Sequence, residues 1–438
     1  MPEIRGAPFA PGQAQGVLRF GPVGAGPNDI VVLRQEEVPA LREPPAGVVL
    51  VNAAPFSHPV IQLLGWGVPC VLFTQAELEA LEAGMEVIVD GTRGTVVDAR
   101  DGDATQTGHG PASASAAPVG CPVKTPDGVD MQIRASVASA AGGAHARNQG
   151  ACSIGLVRSE CLMPADGSPP DAAFYVATLG DLCRAAHPLA VTVRLLDIAT
   201  DKRPAWLPGH RALRGPLGLQ GARLYRVEPV LAVVRQQIEA LRALAADHPL
   251  RALVAWAEGP AQFQGWRGEL QRDLAAELPV GAMVETPAAL LDVGRWLEAA
   301  DFVAVGCNDL MQSLFAVDRD LPELSHLLDP YSPVLYRFLR EVAEIAAHRT
   351  DRLQLCGLLT QVQGVLPILM GLGYRVFCVS PSLIPVLAAV VRRTSVSEAQ
   401  ELARRACRAA DSDSVRALLG LAPGAPWGLG AVPERSCA

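Results

Sequence analysis

The sequence predicts an α/β protein in which a small N-terminal domain precedes a C-terminal (β/α)8 barrel. Strand-like and helix-like segments alternate eight times after residue 120, whereas residues 17–98 contain mostly short strand-like runs. Between them lies DGDATQTGHGPASASAAP, whose small, polar and proline residues predict a flexible linker. We therefore divide the chain into an N-terminal domain (1–100), a linker (101–119), a barrel (120–400) and a C-terminal helix with a tail (401–438).

The N-terminal domain is predicted to be strand-rich. Its runs of β-branched and apolar residues are bounded by glycine, proline and aspartate, as is typical of strands. One clear helical stretch, residues 59–65, follows the strand GVVLV and the loop NAAPFSH. The predicted strands are residues 17–21, 29–33, 47–51, 69–73, 86–90 and 94–98.

The barrel prediction depends on eight buried-type strands separated by amphipathic helices. Periodic leucine, valine and alanine predict long helices at 225–248 and 334–348. Beyond about residue 395 we expect a terminal helix and a tail rich in proline and glycine. The eight predicted strands are residues 130–136, 152–158, 189–197, 250–256, 280–285, 301–309, 351–357 and 374–380.

Composition excludes several classes of protein. The formal charge of 37 − 45 = −8 argues against a protein that binds nucleic acid or anionic lipid through a basic surface. Ten cysteines without a CxxC motif predict neither a zinc site nor a disulfide scaffold, which favours the reducing cytoplasm. The N-terminus resembles no export signal, and no apolar run is long enough to span a membrane.

Charged side chains stand at the ends of the predicted barrel strands, where barrel enzymes collect their catalytic groups. Two carboxylates and several guanidiniums at one rim predict a site for a divalent metal and a phosphate, because Mg²⁺ prefers oxygen ligands and arginine forks match phosphate oxygens. Arg251 opens the fourth strand, and Arg319 follows Asp309 by ten residues. The residues at the carboxyl ends are Arg158, Arg194, Glu285, Asn308, Asp309 and Cys356.

Several motifs resemble those of a known family. VRLLDIATDK, VGAMVETPAAL, VGCNDLMQSLFAVDR and GLGYRVFCVSPSLIP are similar to the phosphoenolpyruvate (PEP)-binding barrel of the PEP-utilising enzymes. Among these, the sequence most resembles enzyme I of the bacterial sugar phosphotransferase system. The similarity covers residues 120–400, and residues 29–98 resemble the swivelling phosphohistidine domain of that family.

The resemblance implies a role for each candidate residue. It implies that Glu285 and Asp309 bind Mg²⁺ and that Cys356 protonates the enolate carbon after the phosphoryl group has left. It also implies that His58, at the start of a helix, accepts this group through Nε2 and passes it to an acceptor protein of unknown identity. The residues implied to hold PEP are Arg158, Arg194, Arg251, Asn308 and Arg319.

The sequence departs from the family pattern around the histidine. Residues 53–56 read Ala-Ala-Pro-Phe where the family has two glycines, an arginine and a threonine, and Leu64 replaces an arginine. Leu358 replaces the glutamate that follows Cys-Gly. Residues 20–29 leave no room for the helical domain that docks the phosphocarrier protein, and no ATP-grasp domain is recognisable.

Three functions therefore remain open at this point. The first is a PEP-dependent phosphotransferase, and the second is a PEP-binding regulatory protein without turnover, favoured by the altered histidine loop and Leu358. The third is a lyase or mutase acting on PEP within the barrel, although such an enzyme has no need of a swivelling histidine domain. Apolar helical surface at 334–347 and 382–391, together with the resemblance, predicts a homodimer formed through the barrel.

Overall fold

The computed structural model describes residues 3–100, 119–198, 203–207, 217–272, 278–424 and 426–430. Nearly all of the predicted linker, residues 101–118, lies outside these ranges. Residues 208–216 and most of the final tail, residues 431–438, also lie outside them.

The N-terminal domain is built on one mixed sheet. In the described part of the chain its eight strands are ordered β1-β8-β7-β3-β4-β5-β6-β2, with β3 to β6 parallel. The valines and leucine of the central strand GVVLV are fully buried, which explains its continuous apolar sequence. The strands are β1 (Ile4–Arg5), β2 (Ala7–Ala10), β3 (Gln13–Phe20), β4 (Asp29–Arg34), β5 (Gly47–Val51), β6 (Cys70–Phe73), β7 (Glu86–Asp90) and β8 (Thr95–Asp98), and the helices are α1 (His58–Trp66) and α2 (Gln75–Leu78).

Helix α1 carries the histidine of interest at its first position. Ser57 adopts extended backbone at the N-cap, and Pro59 occupies the first turn, where its fixed φ and missing N–H cost nothing. The helix ends at Gly67, whose φ of +71° suits a residue without a side chain. His58 thus follows a buried strand and begins a helix, as the sequence predicts.

The barrel prediction is confirmed. Strands β10 to β17 are all parallel, and pairing of β10 with both β11 and β17 closes the sheet on itself, while β9 adds a short antiparallel strand. Each of the eight predicted strands contains an observed one or differs from it by one residue at an end. The strands are β9 (Val123–Lys124), β10 (Asp130–Val137), β11 (Ile154–Arg158), β12 (Val191–Arg194), β13 (Leu250–Ala255), β14 (Val280–Val284), β15 (Val303–Gly306), β16 (Leu353–Cys356) and β17 (Val376–Val379).

Helices follow the barrel strands and cover the outside of the barrel. The long helices expected at 225–248 and 334–348 are observed at Glu228–Leu244 and Pro333–Ala346, and the last two helices of the described chain are Val396–Arg408 and Ser412–Leu418. The helices are α3 (Ala140–Asn148), α4 (Ala172–Ala186), α5 (Glu228–Leu244), α6 (Pro260–Gln271), α7 (Pro287–Leu291), α8 (Val293–Ala299), α9 (Cys307–Phe315), α10 (Pro333–Ala346), α11 (Val365–Gly371), α12 (Ile384–Arg393), α13 (Val396–Arg408) and α14 (Ser412–Leu418).

The apolar residues on which the homodimer prediction was based are mostly buried within the chain itself. Leu335, Leu339 and Val342 of α10 are fully buried, as are Ile384 and Val391 of α12. These helices therefore bury most of their apolar residues within the chain, and the argument for a dimer from apolar surface is wrong. Dimerisation stays a prediction from the resemblance alone. In the described ranges, no helix has the length and apolar character needed to cross a membrane.

Candidate active site

A cavity opens at the carboxyl ends of the barrel strands, and α1 of the N-terminal domain lies over it. Strand ends of the barrel supply most of its wall, and the histidine at the start of α1 faces it from the other domain. The structure brings together eight of the nine residues that the sequence singled out: His58, Arg158, Arg194, Glu285, Asn308, Asp309, Arg319 and Cys356. Glu160, Asp197, Gln220, Trp256 and Met283 also line the cavity.

Glu285 is a buried carboxylate with an unused oxygen. Its Oε2 makes no hydrogen bond with any residue that the structure describes. Gly306 makes this position accessible, because a Cβ at residue 306 would come 2.6 Å from both Cγ and Oε1 of Glu285. Burial, reinforced by the nearby charges of Asp309 and Asp197, raises the pKa of Glu285 well above its ordinary value. A cation would remove this penalty by holding the carboxylate in its charged form.

The neighbouring Asn308 and Asp309 lie in the first turn of α9. Asn308 Oδ1 accepts a hydrogen bond of 3.0 Å from the backbone N–H of Leu358, which fixes its side chain. The Asn308 side chain leaves no room for a Cβ at Gly357, whose φ is +106°. Asp309 remains partly exposed and forms an ion pair of 3.1 Å with Arg319. Glu285 and Asp309 are thus two carboxylates of the cavity that could bind a divalent cation.

The described residues contain no cluster of three or more histidine, cysteine, aspartate or glutamate side chains that could hold a metal ion by themselves. A cage made only of protein ligands is therefore not built here. Two carboxylates fit Mg²⁺ better, because that ion keeps several positions for water and for substrate phosphate oxygens.

The two arginines at neighbouring strand ends differ in their partners. Arg194 is buried and forms ion pairs with Glu160 at 2.6 Å and with Asp197 at 2.8 Å. Arg158 is half-buried, lines the cavity, and forms no ion pair with another residue of the described ranges. A half-buried guanidinium without a carboxylate partner is suited to an anionic ligand.

Arg251 does not reach this cavity, contrary to the position implied for it. It is the second residue of β13 and therefore lies toward the amino end of the barrel, away from the mouth. Its guanidinium carbon lies 3.7 Å from the ring centroid of Phe302, a cation–π contact. Burial, assisted by the positive charge of Arg134, lowers the pKa of Arg251 to about 10. Arg251 is a half-buried residue near the amino end of the barrel at this position, so we remove it from the ligand set.

Cys356 lies at the cavity floor beside a second thiol. Cys378 is its direct partner on the neighbouring strand, and Gln354 Nε2 donates to Cys356 Sγ at 3.1 Å. The hydrogen bond with Cys378 lowers the pKa of Cys356 below the ordinary thiol value, although burial acts in the opposite direction. Burial raises the pKa of Cys378 well above that value. Cys356 is therefore the more acidic thiol of the pair and the one that lines the cavity.

His58 reaches the cavity from the other domain. Its Nδ1 lies 3.0 Å from Asp320 Oδ2, and its Nε2 contacts Arg319 Nη2. Arg319 Nη1 also donates to the backbone carbonyl of Phe56 at 3.3 Å. The imidazole is thus held between a carboxylate and a guanidinium that both come from the barrel.

Aromatic packing supports this docking. The ring of Phe56 lies 4.6 Å from that of Trp427, and Phe9 packs against the same indole with its centroid at 6.2 Å. Trp427 precedes Leu429 and Gly430, whose backbone N–H groups donate to Phe9 and Gln361 respectively. The C-terminal segment 426–430 therefore contacts the N-terminal domain and the barrel at once.

Residues 114–396 match the family described as "PEP-utilising enzyme, PEP-binding domain", and residues 27–94 match "PEP-utilising enzyme, mobile domain". The chain belongs to the PEP-utilising enzymes. The phosphoenolpyruvate-protein phosphotransferase of Haloferax volcanii is 31% identical over 412 residues, covering 90% of this chain and 70% of that protein. The phosphotransferase of the same name from Staphylococcus carnosus is 27% identical, with 89% and 69% covered.

The multiphosphoryl transfer protein of Xanthomonas campestris is 31% identical over 390 residues, or 85% of this chain. The chain spans only about half the length of that relative, 46%. Its match to the PEP-utilising enzymes therefore covers a barrel and a mobile domain, while the rest of these longer relatives has no counterpart in the alignment.

Three acidic residues of this PEP-utilising enzyme were not singled out from the sequence. Asp197 lies within VRLLDIATDK, one of the motifs that carry the family resemblance, Glu160 follows Arg158 by two residues, and Asp320 directly follows Arg319. Each pairs with a basic residue of the site, Glu160 and Asp197 with Arg194 and Asp320 with His58. Proximity in the sequence to Arg158, Arg194 and Arg319 is the signal that could have identified them.

Proposed function

We propose that this protein is a Mg²⁺-dependent phosphotransferase that moves the phosphoryl group of PEP to His58 and from there to an acceptor protein. The observation that carries the proposal is the position of His58, whose ring lies at the mouth of the cavity lined by Arg158, Arg194 and Glu285. A histidine from one domain facing an anion site in another is the arrangement that a phosphoryl relay needs.

The arginines account for binding of PEP. Arg158, without a carboxylate partner in the described ranges, and Arg319 at the histidine are placed to neutralise the phosphate, while the ion-paired Arg194 completes the positive wall. Asn308, fixed through its carbonyl oxygen, presents its amide to the same cavity. Because phosphoryl transfer needs alignment and charge neutralisation more than covalent help, these groups are sufficient for the binding step.

The reaction begins at Nε2 of His58. A bond forms between Nε2 and phosphorus while the bond from phosphorus to the enol oxygen breaks, and its electron pair leaves with the enolate of pyruvate. Cys356 then delivers a proton to the enolate carbon, which yields pyruvate. The lowered pKa of Cys356 suits a thiol that must release a proton.

Glu285 and Asp309 are the residues that would hold Mg²⁺. The unused Oε2 of buried Glu285 and the two-carboxylate donor set both fit an ion that shares its coordination with substrate. When bound, the ion would neutralise charge on the phosphate and enolate oxygens.

The recipient of the phosphoryl group is proposed to be a protein, because relatives of this chain bear the name phosphoenolpyruvate-protein phosphotransferase. We place the reaction in the cytoplasm, which is supported by free cysteines throughout the described ranges. Docking of His58 over the cavity favours transfer over a purely regulatory PEP site or a barrel lyase, neither of which needs that histidine.

One incubation separates these functions. Purified protein is mixed with Mg²⁺ and PEP labelled in its phosphate, and both acid-labile label on the protein and pyruvate in solution are measured. A phosphotransferase gives both products in equal amounts in the first turnover. Binding without either product would indicate a regulatory protein, and consumption of PEP without protein label would indicate a lyase or mutase.

A further inference from the structure

The ring of His58 lies between two groups of opposite hydrogen-bonding character. Arg319 Nη2, which can only donate, contacts Nε2, so Nε2 must accept with its lone pair. On the other side, Nδ1 lies 3.0 Å from Oδ2 and 3.3 Å from Oδ1 of Asp320, and a carboxylate can only accept. The ring proton therefore resides on Nδ1.

Asp320 also holds the backbone of the histidine. Its Oδ1 accepts a hydrogen bond of 3.0 Å from the N–H of His58, and its own carbonyl accepts from Gln35 Nε2 at 2.8 Å. Gln35 Oε1 in turn accepts from the N–H of Ala54 in the histidine loop at 2.8 Å. The loop and the ring are thus positioned by one barrel residue.

Asp320 is charged at neutral pH. Burial alone would raise its pKa, but the hydrogen bonds from the ring and N–H of His58, with the charge of Arg319, hold the pKa of Asp320 below its ordinary value. Among the residues that the structure describes, the charged groups in contact with the imidazole include this carboxylate and Arg319, and Arg319 forms an ion pair with Asp309 in turn.

We propose that Asp320 is a positioning residue that fixes His58 as the Nδ1–H tautomer, so that Nε2 carries the lone pair that attacks phosphorus when the phosphate takes the place of Arg319 Nη2. This inference rests on the proposed function. During transfer the Nε2–P bond forms and the bond from phosphorus to the enol oxygen breaks, while the proton on Nδ1 stays in place. The ring then carries positive charge, which the carboxylate of Asp320 stabilises.

A consequence follows for the timing of the reaction. Asp320 is 262 residues from His58 and belongs to the barrel, so it acts on the ring only when the mobile domain is docked. A free imidazole prefers its proton on Nε2, which masks the attacking lone pair. Docking on Asp320 therefore favours the tautomer whose Nε2 can attack phosphorus.

The test reads the tautomer directly. Nitrogen-15 NMR of the full chain labelled at histidine gives the protonation state of both ring nitrogens, and comparison with His58→Ala assigns the His58 signals among the eight histidines. Variants Asp320→Ala and Asp320→Asn are compared with Asp318→Asn. Asp318 is a matched control because it lies two residues away and accepts from the N–H of Asp320 at 3.0 Å, a bond that asparagine can preserve.

We expect the Nδ1–H form in the wild type and in Asp318→Asn, and a shift toward the Nε2–H form in both Asp320 variants. In rapid-quench experiments, labelling of His58 by PEP should slow by about 10²-fold in Asp320→Ala, with the dissociation constant of PEP changed less than about twofold. A wild-type ring protonated on Nε2, or a tautomer unchanged in Asp320→Ala, would overturn the inference. Absence of label from the wild type, with the tautomers as expected, would instead contradict the proposed function and leave the positioning role supported.

Discussion

Arg319 and Asp309 form an ion pair with Nη2 of the arginine 3.1 Å from Oδ1 of the aspartate, and the same Nη2 contacts His58 Nε2. One guanidinium nitrogen thus lies between a proposed metal ligand and the proposed nucleophile. A phosphate that is to be attacked by His58 must enter between His58 Nε2 and Arg319 Nη2. Arg319 therefore contacts both the proposed metal ligand Asp309 and the proposed nucleophile His58, and it is placed to bind the phosphate between them.

Glu285→Gln and Asp309→Asn are each expected to abolish Mg²⁺-dependent binding of PEP, because each removes one of two carboxylate ligands. The fold should survive, since both side chains lie at the rim of the barrel. Calorimetric titration of PEP with and without Mg²⁺ measures the effect, with Glu344→Gln on the exposed side of α10 as the control. Unchanged Mg²⁺-dependent affinity in both variants would exclude this metal pair.

The raised pKa of Glu285 predicts a pH dependence of stability in the metal-free protein. The folded chain keeps this proton to a higher pH than the unfolded chain, so the free energy of unfolding falls as the pH rises above about 4.3, the ordinary value for glutamate. Glu285→Gln removes that cost and should raise the melting temperature near pH 8, by about 2–4 °C for each kcal/mol. Thermal melts of the wild type and of Glu285→Gln with a chelator at pH 5 and pH 8 test this. A change in melting temperature that is the same at both pH values would contradict the prediction.

Cys356→Ala should separate the two halves of the reaction. Phosphoryl transfer to His58 does not need the thiol, whereas protonation of the enolate carbon does. With pyruvate and Mg²⁺ in D₂O, exchange of the methyl hydrogens followed by proton NMR should be lost in Cys356→Ala. Cys378→Ala should slow this exchange without abolishing it, since it removes the hydrogen bond that makes Cys356 more acidic. Exchange at the wild-type rate in Cys356→Ala would rule out its role as the acid.

Arg158 and Arg251 make a matched pair for PEP binding. Arg158→Met removes a cavity guanidinium without an ion-pair partner in the described ranges, and it should weaken PEP by roughly 1.5–3 kcal/mol, or about 10- to 150-fold. Arg251→Met keeps an apolar stem against Phe302 and should leave PEP affinity within about twofold. Calorimetry on both variants decides the matter, and a larger loss in Arg251→Met would restore Arg251 to the ligand set.

The sequence was most informative where local pattern determines structure. Apolar runs such as VGAMV and DFVAVG predict buried parallel strands, and their carboxyl ends place Glu285 and Asn308 in one cavity because parallel strands share a direction. The same rule explains why Arg251 does not reach the cavity, because it stands at the start of β13 and therefore lies toward the other end of the barrel.

Contacts between distant segments could not be read from local pattern. The pairing of His58 with Asp320 joins residues 262 apart, and the packing of Phe56 on Trp427 joins the histidine loop to the tail that was predicted only as rich in proline and glycine. The dimer argument was wrong for a related reason, since periodicity identifies the apolar face of α10 but not which surface covers it. Only the three-dimensional arrangement shows that neighbouring helices of the same chain, chiefly α13 and α8, cover this face.

The central claim, transfer of the phosphoryl group of PEP to His58, is tested most directly by locating the modified residue. Wild type, His58→Ala and His145→Ala, a control at an exposed histidine of α3, are incubated with Mg²⁺ and PEP, digested at alkaline pH and mapped by mass spectrometry. We predict one phosphohistidine, at His58, in the wild type and in His145→Ala, and none in His58→Ala. Equal labelling of all three proteins, or no phosphohistidine in the wild type, would contradict the account.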